Sequence, residues 1–401
     1  MLRVICVCAI FLATASGWCA KKVTVAQLED QLRTMREEKK SDAEIGTALK
    51  QLELSEELTA SVMNRLAGQG LGPLATEQIY VLEAESADLA PPSSDLPSTP
   101  TPDAAAQKAI LDKAATYVLG TYAQLPHLTA LKSTLRFQDN VEAVAAGSGL
   151  HSGATDVVVG SGFSNPAAFV HYINAAQTQI TSVHGAEEPP AAKDKTPWGA
   201  NKMIALQEPD PSLTAVFREA QNSGSLRWLR WESISGISSA VFGFDVPRKQ
   251  SHLNLHICCF PNINQTGIAN FYNSSTASLL AGPERDAGGG GGVTGNFQTR
   301  TEWHDYKTTA PYRGRIFVDP STGIVIRMIV EAELKPAEVV HQVDIRTDYA
   351  PVRTAGKMYI LPVKTYIDTL VVPNGDSGAA SYTTRRTLFT SEFKGYEIGS
   401  N

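Results

Sequence analysis

The sequence predicts an α+β protein: a long, mostly antiparallel, curved β-sheet, an unclosed barrel in outline, covered by helices and preceded by a small helical region. Three observations carry this reading. Residues 21–86 hold amphipathic stretches with helix-start signals, residues 87–102 form a proline-rich break, and from Leu226 onward strand-like runs alternate with turn signals. The 401 residues, 43% hydrophobic and 19% charged, suffice for two domains and a sizeable core. A formal charge of -6 with scattered Lys and Arg argues against nucleic acid as a partner.

Taken in order, residues 1–20 read as a signal peptide: Arg3, an apolar run from Val4 to Thr14, then small-residue cleavage sites at Ala13-Thr14-Ala15 or Ala15-Ser16-Gly17. Lipid attachment at Cys19 is the rival, disfavoured by the bulky Trp18 before it. No other stretch approaches the roughly 18 apolar residues of a membrane span. The expectation is a periplasmic or extracellular protein with no transmembrane span. Removal of the signal leaves Cys19, Cys258 and Cys259, too few for a disulfide framework.

Residues 21–86 read as consecutive helices. Thr24-Val25-Ala26-Gln27 and Ser41-Asp42-Ala43-Glu44 fit the capping box, and each precedes an apolar stripe: Val25, Leu28, Leu32 and Met35, then Ile45, Leu49 and Leu52. A third stripe follows Ser55 with Leu58, Val62 and Leu66, and Leu74 to Ala84 is a weaker fourth helix. Such short helices must pack on one another or on a partner, either a small bundle or an adaptor for an envelope protein. Residues 87–102, with five prolines, are a Pro/Ser/Thr-rich linker. Residues 103–401 are then a β-rich domain led by a helix from Asp103 to Tyr122, with Leu111, Ala114, Ala115, Val118 and Tyr122 on one face.

Strand signals begin at Leu131, give way to a poorly patterned region from Gly147 to Asn222, and become regular at Leu226–Trp231, Ala240–Val246, Leu253–Phe260 and Thr301–Thr308. The clearest unit is Arg313 to Val330, two apolar runs around the turn Asp319-Pro320-Ser321-Thr322-Gly323. Further strands are expected at Val339–Tyr349, Met358–Thr369 and Tyr382–Phe393. In His341 to Tyr349, Val343, Ile345 and Tyr349 oppose Gln342, Asp344, Arg346 and Asp348, which predicts one dry and one wet face.

The chain lacks zinc-protease, nucleophile-elbow, P-loop, CxxC and EF-hand patterns. His252 and His256, four apart on a strand, lie about 13 Å apart, too far to share one zinc ion. Glu302-Trp303-His304-Asp305 gathers an acid, a base and an aromatic without a nucleophile, and Gly288 to Gly292 read as a surface loop rather than a phosphate cradle. The expectation is therefore a non-enzymatic protein with no metal and no cofactor. Apolar strand residues are core or the lining of a cavity, and the candidate lining is Trp228, Phe242, Phe244, Leu253, Leu255, Ile326 and Met328.

The runs WLRWESISGISSAVFGFDVPRKQSHLNL, YRGRIFVDPSTGIVIRMIVEAEL and DIRTDYAPVRTAGKMYILPVKTYI resemble the C-terminal domain of a family of uncharacterised secreted bacterial proteins, and the helical front resembles the region that precedes that domain. More distantly, the strand and hairpin pattern resembles lipoprotein carriers and sensors of the LolA-like and RseB-like kind. That resemblance implies an apolar groove in the curved sheet that holds a lipid or a lipoprotein acyl chain. The other reading is an envelope protein whose sheet is packed solid and whose role is protein–protein interaction or structural.

Overall fold

The computed structural model describes residues 21–67, 69–87, 89–138, 170–188, 205–206, 211–234, 236–261, 303–335, 338, 340–371 and 385–399. Residues 1–20, expected to be a signal peptide, the glycine run Gly288 to Gly292 and the side chains of Cys258, Cys259, His304 and Asp305 lie outside the described set.

The front is built on its caps. Strands β1 (Lys21–Val23) and β2 (Leu52–Leu54) pair in parallel, an element the helical pattern did not foretell, and around them lie α1 (Val25–Glu37), α2 (Asp42–Leu49), α3 (Ala60–Ala67) and α4 (Pro73–Glu85). Both predicted capping boxes form. The Gln27 amide donates to Thr24 Oγ1 at 3.2 Å while the Thr24 amide donates to Gln27 Oε1 at 2.9 Å. Helix α4 starts after Gly72, which has no capping side chain, so Asp42 of α2 accepts from the amides of Leu74 and Ala75 at 2.9 and 3.0 Å. Leu28, Leu32, Leu49, Val62 and Leu66 converge with Ile79 and Leu82 of α4 in a core of their own.

Asp103 caps α5 (Ala104–Ala115), accepting from the Ala106 amide at 2.8 Å. Beyond it the helix loosens into a wider turn, Thr116–Thr121, and tightens at Tyr122–Gln124. The strands follow: β3 (Leu128–Gln138), β4 (His171–Val183), β5 (Ala186–Glu187), β6 (Ala205–Leu206), β7 (Arg227–Ile234), β8 (Ile237–Val246), β9 (Asn254–Pro261), β10 (Trp303–Thr309), β11 (Tyr312–Val318), β12 (Val325–Ala332), β13 (Val340–Thr354), β14 (Lys357–Val371) and β15 (Arg385–Ile398). Helix α6 (Leu213–Asn222) precedes β7. Ten strands form one open antiparallel sheet in the order β5-β4-β3-β15-β14-β13-β12-β11-β8-β7, and β10-β9-β6 form a smaller antiparallel sheet. No helix among the described residues is long and apolar enough to cross a membrane.

The hairpin forms around the turn read from the sequence. In the β11–β12 turn Gly323 has φ +79, and a Cβ there would lie 2.5 Å from the Lys113 backbone, so the turn seats against the last turn of α5. Lys113 Nζ donates to the carbonyls of Pro320 and Ser321 at 3.0 and 3.3 Å.

One face of the large sheet lies under α5 and α6, where Ile110, Ala114, Val118 and Phe217 meet Phe242, Phe244, Met328 and Val343 in the main core. The opposite face is where the dry-and-wet expectation needs correcting. Arg346 sits on the polar side of β13 as predicted, yet it is buried, because the front docks over it. Val81, Ala84 and Ala87 pack on Phe137, Tyr366 and Leu388 of the sheet, and charged groups fill the rest of the junction.

Candidate functional site

None of the predicted lining residues borders either of the two concavities described below. Phe242, Phe244 and Met328 are fully buried, Leu253 and Leu255 are buried, and Trp228 is half-buried against the same core. Trp228 meets Phe242 edge to face at 5.5 Å, and Phe244 meets Tyr312 at 6.0 Å. Phe244 also fills the space above Gly314 on β11, its direct cross-strand partner. Ile326 is separated from the other six and faces the other way, packed with Val241, Phe317 and Ile329. A β-bulge is the reason: the register shifts between Phe317 and Val318, so Ile326 is the extra residue and falls on the same side as Arg327.

The ionic junction holds groups that no motif signals. Glu57 accepts from Arg327 Nη1 at 3.0 Å and from Arg346 Nη1 at 2.7 Å, and Asp348 accepts from the same two arginines at 2.6 and 2.8 Å. Burial alone would raise the Asp348 carboxyl; Arg327 and Arg346 outweigh it and hold that group well below the usual carboxylate range. Beside them Glu83 accepts from Lys364 at 2.9 Å and from the Tyr366 hydroxyl at 2.7 Å, and Arg386 bridges Asp368 and Glu85. Burial pushes the Glu85 carboxyl up to about 7, against the pull of Arg386 and with repulsion from Asp368 and Glu53. These partnered charges bind the front to the sheet.

A second polar cluster lies at α6. Glu219, buried, accepts from the Tyr312 hydroxyl at 2.7 Å and from the His252 amide at 3.2 Å, and its other oxygen lies 2.8 Å from His252 Nδ1. The imidazole projects into an open groove with Arg218, Asn222 and Gln250. No nucleophilic side chain lines that groove among the described residues, and no group of three or more His, Cys, Asp or Glu is gathered to hold a metal ion. Glu219 accordingly acts as a tether for the chain between β8 and β9.

Another concavity lies on the face under α5 and α6, toward β4 and β5. A cleft of about 40 Å³ is walled by Tyr122, Ile180, Tyr349, Leu361, Phe393 and Tyr396, with Ser182, Glu187, Ser212, Leu213 and Thr347 completing the lining. Tyr122 and Tyr349 meet edge to face at 6.0 Å. Tyr122 reaches its position because residue 185 is glycine, with φ +74 and an absent Cβ that would otherwise sit 2.3 Å from the ring. The phenol groups are committed: Tyr122 donates to Gly185 O at 3.2 Å and Tyr396 to Pro362 O at 2.7 Å. Glu187 is paired with Lys132 at 3.1 Å, and that ammonium lies 5.3 Å from the Phe393 ring centre.

Thr347 is different. Strand register places Thr134, Ser391, Thr365 and Thr347 in one row across β3, β15, β14 and β13, ending at Met328 on β12. Thr134 and Ser391 bond each other at 2.8 Å. The Thr347 hydroxyl, in a residue 2% exposed, has no hydrogen-bond partner among the described residues, nor have Thr365, Thr369 and Thr387. A buried hydroxyl left unpaired costs about 1–3 kcal/mol. Of these four, Thr347 is the one on the cleft wall.

Comparison of the chain with protein-family models, with curated proteins and with solved structures finds no match.

Proposed function

We propose that this chain is a non-enzymatic binding protein, periplasmic or extracellular, that takes a short-chain ligand, or one end of a larger one such as a lipid, into the aromatic cleft that Thr347 lines. The observation that carries this is an aromatic-walled concavity lined by a buried side-chain hydroxyl that has no partner among the described residues, the composition of a small-molecule site. At about 40 Å³ the cleft is far smaller than the roughly 300–1,000 Å³ of a drug-sized pocket, so a chain end enters and a whole lipid does not. The binding surface is thereby moved along the same sheet face, from β8 and β12 to β13, β14, β15 and β4.

The second reading, an interaction or structural protein of the envelope with a solidly packed sheet, is favoured by the complete burial of Phe242, Phe244 and Met328. Its contact surface would be the outer side of the front, where Leu74 and Tyr80 of α4 are exposed. Native mass spectrometry of the mature chain purified from its own envelope, with uptake of a fluorescent acyl probe, separates the two. Bound lipid and probe uptake lost in Tyr349→Trp, which fills the cleft, support the first reading; no ligand and no uptake leave the second.

A further inference from the structure

Helix α6 begins at the cleft without a side-chain cap. Its N-cap, Ser212, makes no capping bond, and the first amide to join the helical ladder is that of Val216, which donates to Ser212 O at 3.0 Å. The amides of Leu213, Thr214 and Ala215 therefore precede the ladder, and Ser212 and Leu213 are on the cleft wall. The buried Thr214 hydroxyl in this turn is also without a partner among the described residues. The second observation comes from a different element: Thr347 of β13, 2% exposed, lines the same cleft with its own hydroxyl unpaired.

We infer that the ligand is a carboxylate with a short apolar chain, its anionic end at the first turn of α6 and the Thr347 hydroxyl, and its chain against Tyr349, Phe393 and Leu361. The inference rests on the binding role proposed for the cleft and supplies the chemistry of the end group. A helix start presents amides and a partial positive charge, which favour an anion. A threonine hydroxyl donates one hydrogen bond to an oxygen acceptor. The acid in the lining does not oppose this, because Glu187 is neutralised by Lys132 at 3.1 Å. A free amine fits poorly: it would bring positive charge and further donors to a helix start already made of donors.

The test compares hexanoate, 1-hexanol and hexylamine, by calorimetry and by amide chemical shifts, on the whole mature chain. Hexanoate binds about fivefold more tightly than hexanol, the scale of one anion at a helix start, and hexylamine is weakest. Hexanoate alone shifts the Leu213 and Thr214 amides. Thr347→Val, of the same shape, lowers the hexanoate-to-hexanol ratio by about two- to threefold, the low end of what one lost hydrogen bond costs, and leaves hexanol affinity unchanged. Hexanol binding as tightly as hexanoate in the unaltered chain overturns the carboxylate assignment and leaves the apolar cleft standing. Failure of all three to bind sinks the cleft reading and this inference together.

Discussion

Glu57 and Arg346, 289 positions apart in the chain, meet at 2.7 Å with 3% and 5% of their side chains exposed. The front has its own apolar core, so this pair and its neighbours join two bodies rather than build either. A buried ion pair adds little net stability because desolvation offsets the attraction, but removing one member leaves the other charge stranded.

Glu57→Gln leaves Arg327 and Arg346 with Asp348 as the remaining acid of the group. The expected loss is about 3–5 kcal/mol, read from urea unfolding. Replacing Glu57, Arg327, Arg346 and Asp348 together by apolar residues of similar volume, so that no charge is stranded, costs less than that single change. A single variant as stable as the parent would show that the junction carries no burden of desolvated charge.

Glu85 gives stability a pH dependence. Its carboxyl is raised from 4.5 to about 7 in the folded protein, so between those values the folded state holds a proton that the unfolded state has lost. The contribution is complete below about pH 4.5 and disappears as pH rises through 7. Melting temperatures of the parent should therefore fall between pH 5 and 7.5 by more than those of Glu85→Gln, and equal slopes would refute the assignment.

Gly314→Ala places a Cβ 2.1 Å from Ile329 O and 2.5 Å from the Phe244 ring. Neither the strand backbone nor a core phenylalanine gives way easily, and a loss of about 3 kcal/mol is expected in chemical denaturation. Gly120→Ala, where a Cβ meets nothing within 4 Å, is the control and should cost little.

Thr369→Val and Thr387→Val remove hydroxyls that are buried and unpaired among the described residues. Each should leave stability unchanged or raise it by up to about 1 kcal/mol. A loss above that in denaturant titration would reveal a hydrogen bond these groups make.

Local signals made much of the fold legible. The capping boxes at Thr24 and Ser41, the cap at Asp103 and the Asp319–Gly323 turn need only neighbouring residues, and each forms as read. The face of Ile326 was not legible, because a bulge breaks the two-residue period without leaving a sign in an all-apolar run. Nor was the burial of Arg346: an alternating polar residue reads as solvated, and the carboxylate that covers it belongs to a distant helical region. The cleft escaped because its walls come from seven stretches, and because threonine in a strand is ordinary until its partner is sought. Nor does the helix start give it away, since Ser212 is a residue type that normally caps and its missing bond is visible only in the structure.

The position of β15 has a consequence in time. Strands β11 to β15 are joined to near neighbours, whereas β3 must find β15 across most of the chain, pairing Leu128 with Ile398, and β4 and β5 attach only through β3. Distant pairings are the slow ones to close. Tyr122 and Ile180 stand on one side of that seam and Tyr349, Phe393 and Tyr396 on the other or along it, so the cleft is complete only when this long-range pairing has formed. On the proposed binding role, binding by this cleft would report that β3 has joined β15, and chains that lack this pairing would be silent toward the ligand.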